Sequence, residues 1–295
     1  MFQTKNSTWV VGYGDIGRRL GKIYQKKGRE ITVTIRSNDA YHNARLAGHK
    51  PYRLELDNEI EPLTEVGNTN LFYFIPPPRE GKQDTRIRKF LSNISIPPAR
   101  IVLISTTGVY GHCHGQWVDE SRPIKPLVDR AYRRADAEQQ LMQWIKRNTC
   151  ACVILRVPGI YAEDRLPLKR LEQGLAVLNK QASPWTNRIH ADDLAMICYQ
   201  AMQYLRNASF EPAAEIINVS DGNPSTMTAY FNAVADYANL PRPPQISLQQ
   251  AKKELSKGML SYMNESRRIS NKKMLSKLGI KLRYPSLEDC LKKHT

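Results

Sequence analysis

The chain has 295 residues, which suits one large or two moderate domains and is ample for a buried core. Hydrophobic residues make up 41% and charged residues 24%, which excludes a disordered, collagen-like or disulfide-scaffold protein. The chain carries 44 Lys and Arg against 28 Asp and Glu, a net charge of +16. This excess indicates an anionic partner: a nucleic acid, a membrane surface or a phosphorylated small molecule.

The cysteines and the apolar runs predict the compartment. Five cysteines are an odd and small number for this length, so a disulfide framework is not expected. The first eight residues are polar and lack the apolar core of a signal peptide. The longest aromatic and aliphatic run, 71–75, is far shorter than the roughly 20 residues that span a bilayer. We therefore expect a cytoplasmic protein with no membrane partner.

The first half of the chain alternates strand-like and helix-like patterns. Helical spacing predicts helices over 16–27 and 128–145. Continuous apolar or β-branched runs predict strands over 9–11, 31–35, 71–75, 101–104 and 152–155. Strands without polar alternation, separated by helices, are typical of a parallel sheet covered on both faces. The first half is therefore predicted to be a doubly wound α/β domain.

The second half of the chain is less regular. Helices are predicted over 166–178, 193–205 and 228–238, and a strand over 216–219. The segment 246–295 carries twelve Lys or Arg and four Asp or Glu, so half of the excess positive charge lies in the last sixth of the chain. The ligand of this basic segment stays open.

A glycine-rich loop follows the first predicted strand and opens the first predicted helix. It fits the pattern G-x-G-x-x-G and consists of Gly12, Tyr13, Gly14, Asp15, Ile16 and Gly17. In this context the first glycine permits a tight turn, the second lets the backbone approach a pyrophosphate, and the third lets helix and strand pack closely. The helix N-terminus then faces the phosphates. The loop predicts a dinucleotide-binding domain of Rossmann type.

The end of the second predicted strand indicates which dinucleotide binds. An NAD site usually carries Asp or Glu there, hydrogen-bonded to the ribose 2′-hydroxyl. This strand ends in Arg36 and Ser37, and no acid follows before Asp39. The planar guanidinium of Arg36 suits a 2′-phosphate. We therefore predict NADP as cofactor, with NAD as the alternative.

Several further motifs, in order along the chain, resemble the extended short-chain dehydrogenase/reductases, the relatives of nucleotide-sugar epimerases and dehydratases. The resemblance covers essentially the whole chain, and some of the motifs resemble the atypical branch of that family. The matching segments are 71–78, 105–111 with 117–120, 137–139, 155–161, 187–194, 217–222 and 266–271.

The resemblance implies a two-part organisation. It places a cofactor domain at 1–155, with 186–205 returning to it, and a smaller C-terminal α/β substrate domain at 156–295. It assigns Pro76, Pro77 and Pro158 to the cofactor site, and Thr107 and Arg188 to a small anionic substrate, although Arg188 is equally compatible with an Arg–Asp pair that ties the domains together. Family members are often dimers, so a homodimer is expected.

The family's catalytic groups are a Ser or Thr, a Tyr that relays the proton, and a Lys that lowers the Tyr pKa and holds the nicotinamide ribose. Thr106 takes the first position, but the aligned Tyr and Lys positions hold Arg130 and Arg134. An arginine stays protonated, so Arg130 cannot relay a proton. Tyr132 lies two residues away, about 200° round a helix, and would serve only if the register shifts. Tyr110 is a weaker alternative. The predicted catalytic set is Thr106, Tyr132 and Arg134.

Two functional hypotheses follow. The first is an NADP-dependent oxidoreductase or epimerase acting on a nucleotide sugar or a similar anionic carbonyl compound. The second is a non-enzymatic protein that binds NADP(H), such as a redox-sensing regulator with a degenerate catalytic pair. No nucleic-acid-binding motif is visible, so specific nucleic-acid binding is not expected. Consecutive His112, Cys113 and His114 lack the spacing of a tetrahedral site, so no metal is predicted.

Overall fold

A computed structural model describes residues 7–207, 214–254, 260, 263 and 265–292. The strands are, in chain order, β1 (Thr8–Val11), β2 (Thr32–Ile35), β3 (Lys50–Arg53), β4 (Asn70–Tyr73), β5 (Arg100–Thr106), β6 (Trp117–Val118), β7 (Ala151–Val157), β8 (Gly159–Tyr161), β9 (Val177–Leu178), β10 (Trp185–Thr186), β11 (Arg188–His190), β12 (Ala214–Asn218), β13 (Ser225–Thr226), β14 (Gln245–Ile246) and β15 (Arg268–Ile269). The helices of the described residues are α1 (Asp15–Lys26), α2 (Asn38–Leu46), α3 (Thr85–Ser92), α4 (Asp129–Ile145), α5 (Leu168–Glu172), α6 (Ala191–Asn207), α7 (Met227–Tyr237), α8 (Leu248–Glu254), α9 (Lys272–Leu278) and α10 (Leu287–Leu291).

Seven strands form one parallel sheet in the order β12-β7-β5-β4-β1-β2-β3. The order reverses between β1 and β4, which opens a crevice at the carboxyl ends of these strands. The doubly wound parallel sheet predicted from the sequence is confirmed.

Alternating side chains of each strand pack into two separate cores. Val10 and Phe72 belong to the core under α1, α2 and α6, whereas Val11 and Tyr73 belong to the core under α3 and α4. Both faces of the sheet are therefore covered, which explains why its central strands lack polar alternation.

The second half of the chain adds a smaller unit on top of the sheet. Its own core is formed by α5, α7, α8 and the pair β9–β14, with Phe231 and Leu178 among its buried side chains. Two further two-stranded pairs belong to this half of the chain, the parallel pair β8–β11 and the antiparallel pair β10–β13. Of the described helices, none is long and apolar enough to cross a membrane.

The chain returns to the first unit over more residues than predicted. Helix α6 packs against α1 and the sheet, and all but its last two residues lie in the predicted returning segment 186–205. Strand β12 also joins the main sheet, beside β7, although it lies in the part that the sequence analysis gave to the substrate domain. Helix α9 then packs on α6 and β12. The physical reason is that the edge of β7 needs a partner for its backbone groups.

Three local predictions need correction. The predicted helix over 166–178 is only the five-residue α5, because the chain turns at Gly174 with φ of +62° and continues into β9. Strand β3 was missed because its polar sequence, at the sheet edge, carries no apolar run. Helices α2 and α3 were also missed. Their N-caps are Ser37 and Asp84, whose side-chain oxygens accept hydrogen bonds from the first turn of each helix.

Candidate active site

The glycine loop joins β1 to α1 at the crevice where the strand order reverses. The Gly12 N–H donates to Thr34 Oγ1 at 2.8 Å, so β2 holds the start of the loop. Gly12 has a φ of +103°, and a Cβ there would lie 2.8 Å from the backbone nitrogen of Ile75. A Cβ on Gly17 would lie 2.9 Å from the Gly12 carbonyl oxygen, whereas one on Gly14 would meet nothing within 4 Å. Gly12 and Gly17 therefore serve the fold, and Gly14 leaves open space in front of the helix.

That open space is part of a cavity of about 860 Å³ at the carboxyl ends of β1, β2 and β4. All six residues of the glycine loop line it, together with Arg36 and Pro76. Two other predicted cofactor residues, Pro77 and Pro158, line the neighbouring cleft instead. The cavity, called the cofactor cavity below, has the shape and the backbone donors of a dinucleotide site.

Arg36, the residue predicted to bind the 2′-phosphate of the cofactor, lies at the far end of the cofactor cavity. The Arg36 side chain is 66% exposed, and its Nη1 lies 3.6 Å from a Glu55 carboxylate oxygen. Ser37 and Glu55 also line the cavity. An exposed guanidinium with so loose a partner is available to a phosphate.

Two arginines hold the carboxylate of the glycine loop. Asp15 accepts from Arg19 Nε at 3.0 Å and from Arg165 Nη1 at 2.5 Å. Burial alone would raise the pKa of Asp15, but these hydrogen bonds outweigh it and the pKa is lowered. Arg165 comes from the second half of the chain and lines the cofactor cavity. The sequence analysis missed it, because no local motif surrounds it.

A second cavity, of about 710 Å³, opens between the sheet and the smaller unit and is called the substrate cleft below. Four residues line both cavities: Pro76, Ile104, Arg134 and Ile160. Arg86 braces this junction, since it donates to the Pro76 carbonyl at 3.0 Å while pairing with Asp57 at 2.6 Å. A ligand in the cofactor cavity and one in the cleft would therefore touch each other.

The structure brings two of the three predicted catalytic residues to the cleft. Thr106 ends β5 and its Oγ1 accepts from the Gly108 N–H at 3.1 Å, which leaves its hydroxyl proton for another acceptor. Arg134 lies at the junction, and burial lowers the pKa of its guanidinium against the attraction of Asp84 and Tyr73. Its Nη1 is buried and has no hydrogen-bond partner among the described residues.

Tyr132 lies elsewhere. It lines neither cavity, its side chain is exposed, and Lys82 Nζ lies 5.0 Å from its ring centre. Helix α4 is continuous from Asp129 to Ile145, so the side chains of Tyr132 and Arg134 point in directions about 200° apart. Tyr110 is buried behind the cleft, where its hydroxyl donates to Asn218 Oδ1 at 2.8 Å and accepts from Arg156.

The predicted substrate residues both line the cleft. Thr107 starts the turn after β5, and Arg188 lies on β11. The Arg188 guanidinium stacks on Tyr230 at 3.7 Å and donates to Ser225 Oγ and Thr186 Oγ1 at 2.9 and 2.8 Å. Burial lowers the pKa of Arg188 to about 10, which still leaves it charged near neutral pH.

Arg188 has no carboxylate within ion-pair distance among the described residues. The Arg–Asp tie between domains is therefore not the arrangement found. Nearby Asp221 accepts from the Asn223 N–H at 2.9 Å, and burial raises its pKa to about 7. The charge of Arg188 is thus held by hydroxyls and a ring, which is an arrangement ready for an anion.

The cleft as a whole is strongly basic. Six arginines line it: Arg79, Arg130, Arg133, Arg134, Arg188 and Arg267. Glu265 is the one acidic residue among the described residues of its lining. Sequence reasoning missed Arg133, Glu265, Arg267 and Tyr230, because long-range packing from α4, α7 and the C-terminal segment brings them together.

Comparison with known proteins identifies the fold. The chain matches no known protein-family pattern. Protein YeeZ of Escherichia coli K12 is 25% identical over 171 residues, which are 54% of this chain and 60% of that protein, so the match spans less than two thirds of that relative. A functionally unknown conserved protein from Silicibacter pomeroyi DSS is 25% identical with a TM-score of 0.76, over 97% of this chain and 96% of that one.

Two further solved structures name ligands or activities. MoeE5, in complex with UDP-glucose and NAD, is 15% identical with a TM-score of 0.75, over 97% of this chain and 96% of its own. The UDP-glucose 4-epimerase of Thermotoga maritima, with UDP-glucose, is 16% identical with a TM-score of 0.74, over the same shares. This chain therefore has the fold of the epimerases and dehydratases of the extended short-chain dehydrogenase/reductases, and the resemblance drawn from its sequence is confirmed at that level.

Proposed function

We propose that this protein binds NADP(H) in the cofactor cavity and acts as an oxidoreductase or epimerase on an anionic nucleotide-linked compound in the substrate cleft. The observation that carries the proposal is the junction of the two cavities, where Thr106 lines the cleft and Arg134 is one of the four residues that line both cavities. MoeE5 and the Thermotoga epimerase, which share the fold, are described with UDP-glucose. The six cleft arginines suit such a diphosphate.

The chain's own residues support each part of the cofactor. The open space at Gly14 and the N-terminus of α1 suit the pyrophosphate, and Arg36 suits the 2′-phosphate. Arg134, at the family's Lys position, reaches the nicotinamide end. The cofactor, when bound, supplies or accepts the hydride.

The protein side of the reaction is orientation and charge. The Thr106 hydroxyl donates to the reacting oxygen of the substrate, and the Arg134 guanidinium stabilises negative charge that develops there. Arg188 binds a distal phosphate against Tyr230. Neither Thr106 nor Arg134 releases a proton near neutral pH, so solvent in the open cleft supplies it.

The redox-sensing alternative rests on one specific observation. The aligned Tyr position holds Arg130, and Tyr132 lies outside the cleft. A protein that lacks the proton relay of its relatives is able to bind the cofactor without turning over.

Two measurements test these proposals in order. Calorimetric titration with NADPH and NADH measures cofactor affinity; micromolar binding with NADPH favoured supports the cofactor assignment, and binding of neither contradicts the whole proposal.

Single-turnover oxidation of bound NADPH is then followed at 340 nm with a panel of UDP- and dTDP-keto sugars. Turnover that Thr106→Ala reduces about 100-fold supports the enzyme, in line with the 10²–10³ loss typical of one removed oxyanion donor. Tight binding without turnover on any panel member favours the regulator.

A further inference from the structure

Three arginines of α4 share one face of the helix. Arg130, Arg133 and Arg134 lie at positions i, i+3 and i+4, and all three line the substrate cleft. Like charges at this spacing disfavour a helix. A surface that keeps three of them together, turned towards a cavity, is suited to an anionic ligand. This set is called the arginine face below.

Arg133 is the buried member of the arginine face, Arg130 and Arg134 are half-buried, and the hydrogen-bond donors of Arg133 and Arg134 are only partly satisfied. Arg133 is 8% exposed; its Nη1 donates to the Gly81 carbonyl at 2.6 Å, but its buried Nε has no hydrogen-bond partner in the described part of the chain. The buried Nη1 of Arg134 lacks a partner in the same sense. Buried charged donors are normally hydrogen-bonded, so these two point to a ligand that completes them.

Little acidic charge offsets the arginine face within the cleft. Glu265 Oε1 lies 3.9 Å from Arg130 Nη2, while its Oε2 is engaged by Arg267 at 2.8 Å. Arg133 and Arg134 have no carboxylate within ion-pair distance over the residues described. Asp84 attracts Arg134 from beyond that distance, so the Arg133–Arg134 end of the face lacks a direct carboxylate partner among the described residues.

The position of the arginine face defines the part of the ligand that it meets. Arg134 also lines the cofactor cavity, and Thr106 lines the cleft beside it. Arg188, by contrast, lies on β11 with its own ring and hydroxyl partners. The cleft thus has two anion positions on different elements, one distal at Arg188 and one next to the site of hydride transfer.

We propose that the arginine face binds a carboxylate that the substrate carries close to its reacting carbon, so that the substrate is a nucleotide-linked sugar acid rather than a neutral sugar. This inference rests on the proposed function and makes its substrate class narrower. A planar guanidinium offers paired N–H donors that match the two oxygens of a carboxylate. The acid is preferred because Arg133 and Arg134 have no direct carboxylate partner among the described residues.

The test uses a pair of probes that differ in the carboxylate alone. UDP-glucuronic acid and UDP-glucose share the nucleotide, the diphosphate and the sugar stereochemistry, and differ at C6. Their dissociation constants are measured by calorimetry on the full chain saturated with NADPH, so no turnover is needed. We expect UDP-glucuronic acid to bind at least about 10-fold more tightly, a typical effect of one charge-assisted hydrogen-bonded pair.

Variants assign that preference to residues. Arg133→Gln should reduce the ratio of the two dissociation constants to about 2 or less, and Arg133→Lys should keep a part of the preference. Arg242→Gln is the matched control, because Arg242 is exposed and pairs with Asp236 away from the cleft. Circular dichroism checks that each variant folds; if Arg133→Gln does not, Arg133→Lys and the wild-type ratio still decide.

Each outcome has one meaning. Equal binding of the two probes to the wild-type protein overturns the carboxylate site while leaving the proposed function intact. A preference that Arg133→Gln preserves overturns the assignment to the arginine face. NADPH binding without binding of either probe overturns the nucleotide-sugar part of the proposed function together with this inference. Failure to bind NADPH contradicts the proposed function at its first step.

Discussion

The cofactor cavity and the substrate cleft meet at Arg134, yet they are built in different ways. The cofactor cavity is built around a contiguous loop, residues 12–17, at the end of one strand. The cleft is lined by side chains from β5, α4, β11, α7 and the C-terminal segment, and its charged residues come from α4, β11, the C-terminal segment and the loop at Arg79. A site built from one contiguous loop can be recognised in a short stretch of sequence. A site built from charged residues that are distant in the chain becomes visible only in the folded structure.

The largest expected effect concerns the anchor of α4, the helix that connects the two regions. Glu138 is fully buried and pairs with Arg156 at 2.8 Å, and it also accepts from Ser105 Oγ at 2.5 Å. Glu138→Leu leaves the buried Arg156 without a counter-charge and should lower the free energy of unfolding by about 3–5 kcal/mol. Urea unfolding followed by circular dichroism measures this loss.

The double variant Glu138→Leu with Arg156→Met is the control for that measurement. Removing both charges should recover most of the stability, because a well-packed apolar pair often replaces a buried ion pair at little cost. A loss below about 1 kcal/mol in the single variant would show that α4 is anchored by its apolar contacts alone.

The two regions should also differ in their response to pH. Burial raises the pKa of Asp221, behind Arg188, to about 7, against about 3.9 in the unfolded chain. The folded protein therefore binds more protons than the unfolded chain between pH 4 and 7, and the free energy of unfolding falls as the pH rises through that window, by about 3–4 kcal/mol in all. Asp221→Asn should remove this fall, as measured by urea unfolding at pH 4.5, 6 and 8.

The pKa of Asp15, in the cofactor cavity, is shifted in the opposite direction to that of Asp221. Its pKa is lowered in the folded state, with the Arg165 and Arg19 hydrogen bonds outweighing burial. The stability that it contributes is present above the unfolded pKa of about 3.9 and is lost as the pH falls below that value. Asp15→Asn should therefore leave the slope between pH 4 and 7 unchanged. If Asp15→Asn and Asp221→Asn changed the pH dependence of the unfolding free energy between pH 4 and 7 equally, the opposite pKa shifts of the two regions would be contradicted.

How much the sequence predicts follows the same division. The sheet, α1, α4 and the cofactor loop are predicted because apolar runs and glycine spacing are local signals. Strand β3 and helix α2 escaped because their sequences are mostly polar, and α2 buries only Ala44. Helix α3 does have helical spacing, with Ile87, Phe90 and Leu91 buried on one face, and was overlooked. In the cleft, the resemblance led to Thr106 and Arg188, but Arg133 depends on a contact with Gly81, which is distant in the chain. In the cofactor cavity, Arg165 likewise depends on its distant partner Asp15. Tyr132 was predicted because a tyrosine relays the proton in the family, but its position on helix α4 turns its side chain away from the cleft.

A glycine substitution separates fold from cofactor binding. A Cβ on Gly14 meets nothing within 4 Å and the residue has a φ of −79°, so Gly14→Ala should change stability by less than about 1 kcal/mol. The methyl group would occupy the space in front of α1, so the NADPH dissociation constant should rise about 10-fold by calorimetry. Gly17→Ala is the contrast, because its Cβ would lie 2.9 Å from the Gly12 carbonyl oxygen and should reduce stability as well. Unchanged NADPH affinity in Gly14→Ala would place the pyrophosphate elsewhere.

The smallest effect is expected at Arg36, because its guanidinium is 66% exposed and solvent screens its charge. Arg36→Gln should weaken NADPH binding about 5-fold, leave NADH binding within about 2-fold, and bring the two affinities together. The 5-fold effect should shrink at 0.5 M salt, since exposed charges are screened within a few ångströms there. Arg53→Gln is the matched control. Arg53 ends β3, the neighbour of β2, and donates to the Arg36 carbonyl, but it lies outside the cofactor cavity. If Arg36→Gln weakens NADH as much as NADPH, the guanidinium supports the adenosine ribose or the loop rather than a 2′-phosphate, and the cofactor preference lies with another group of the cavity.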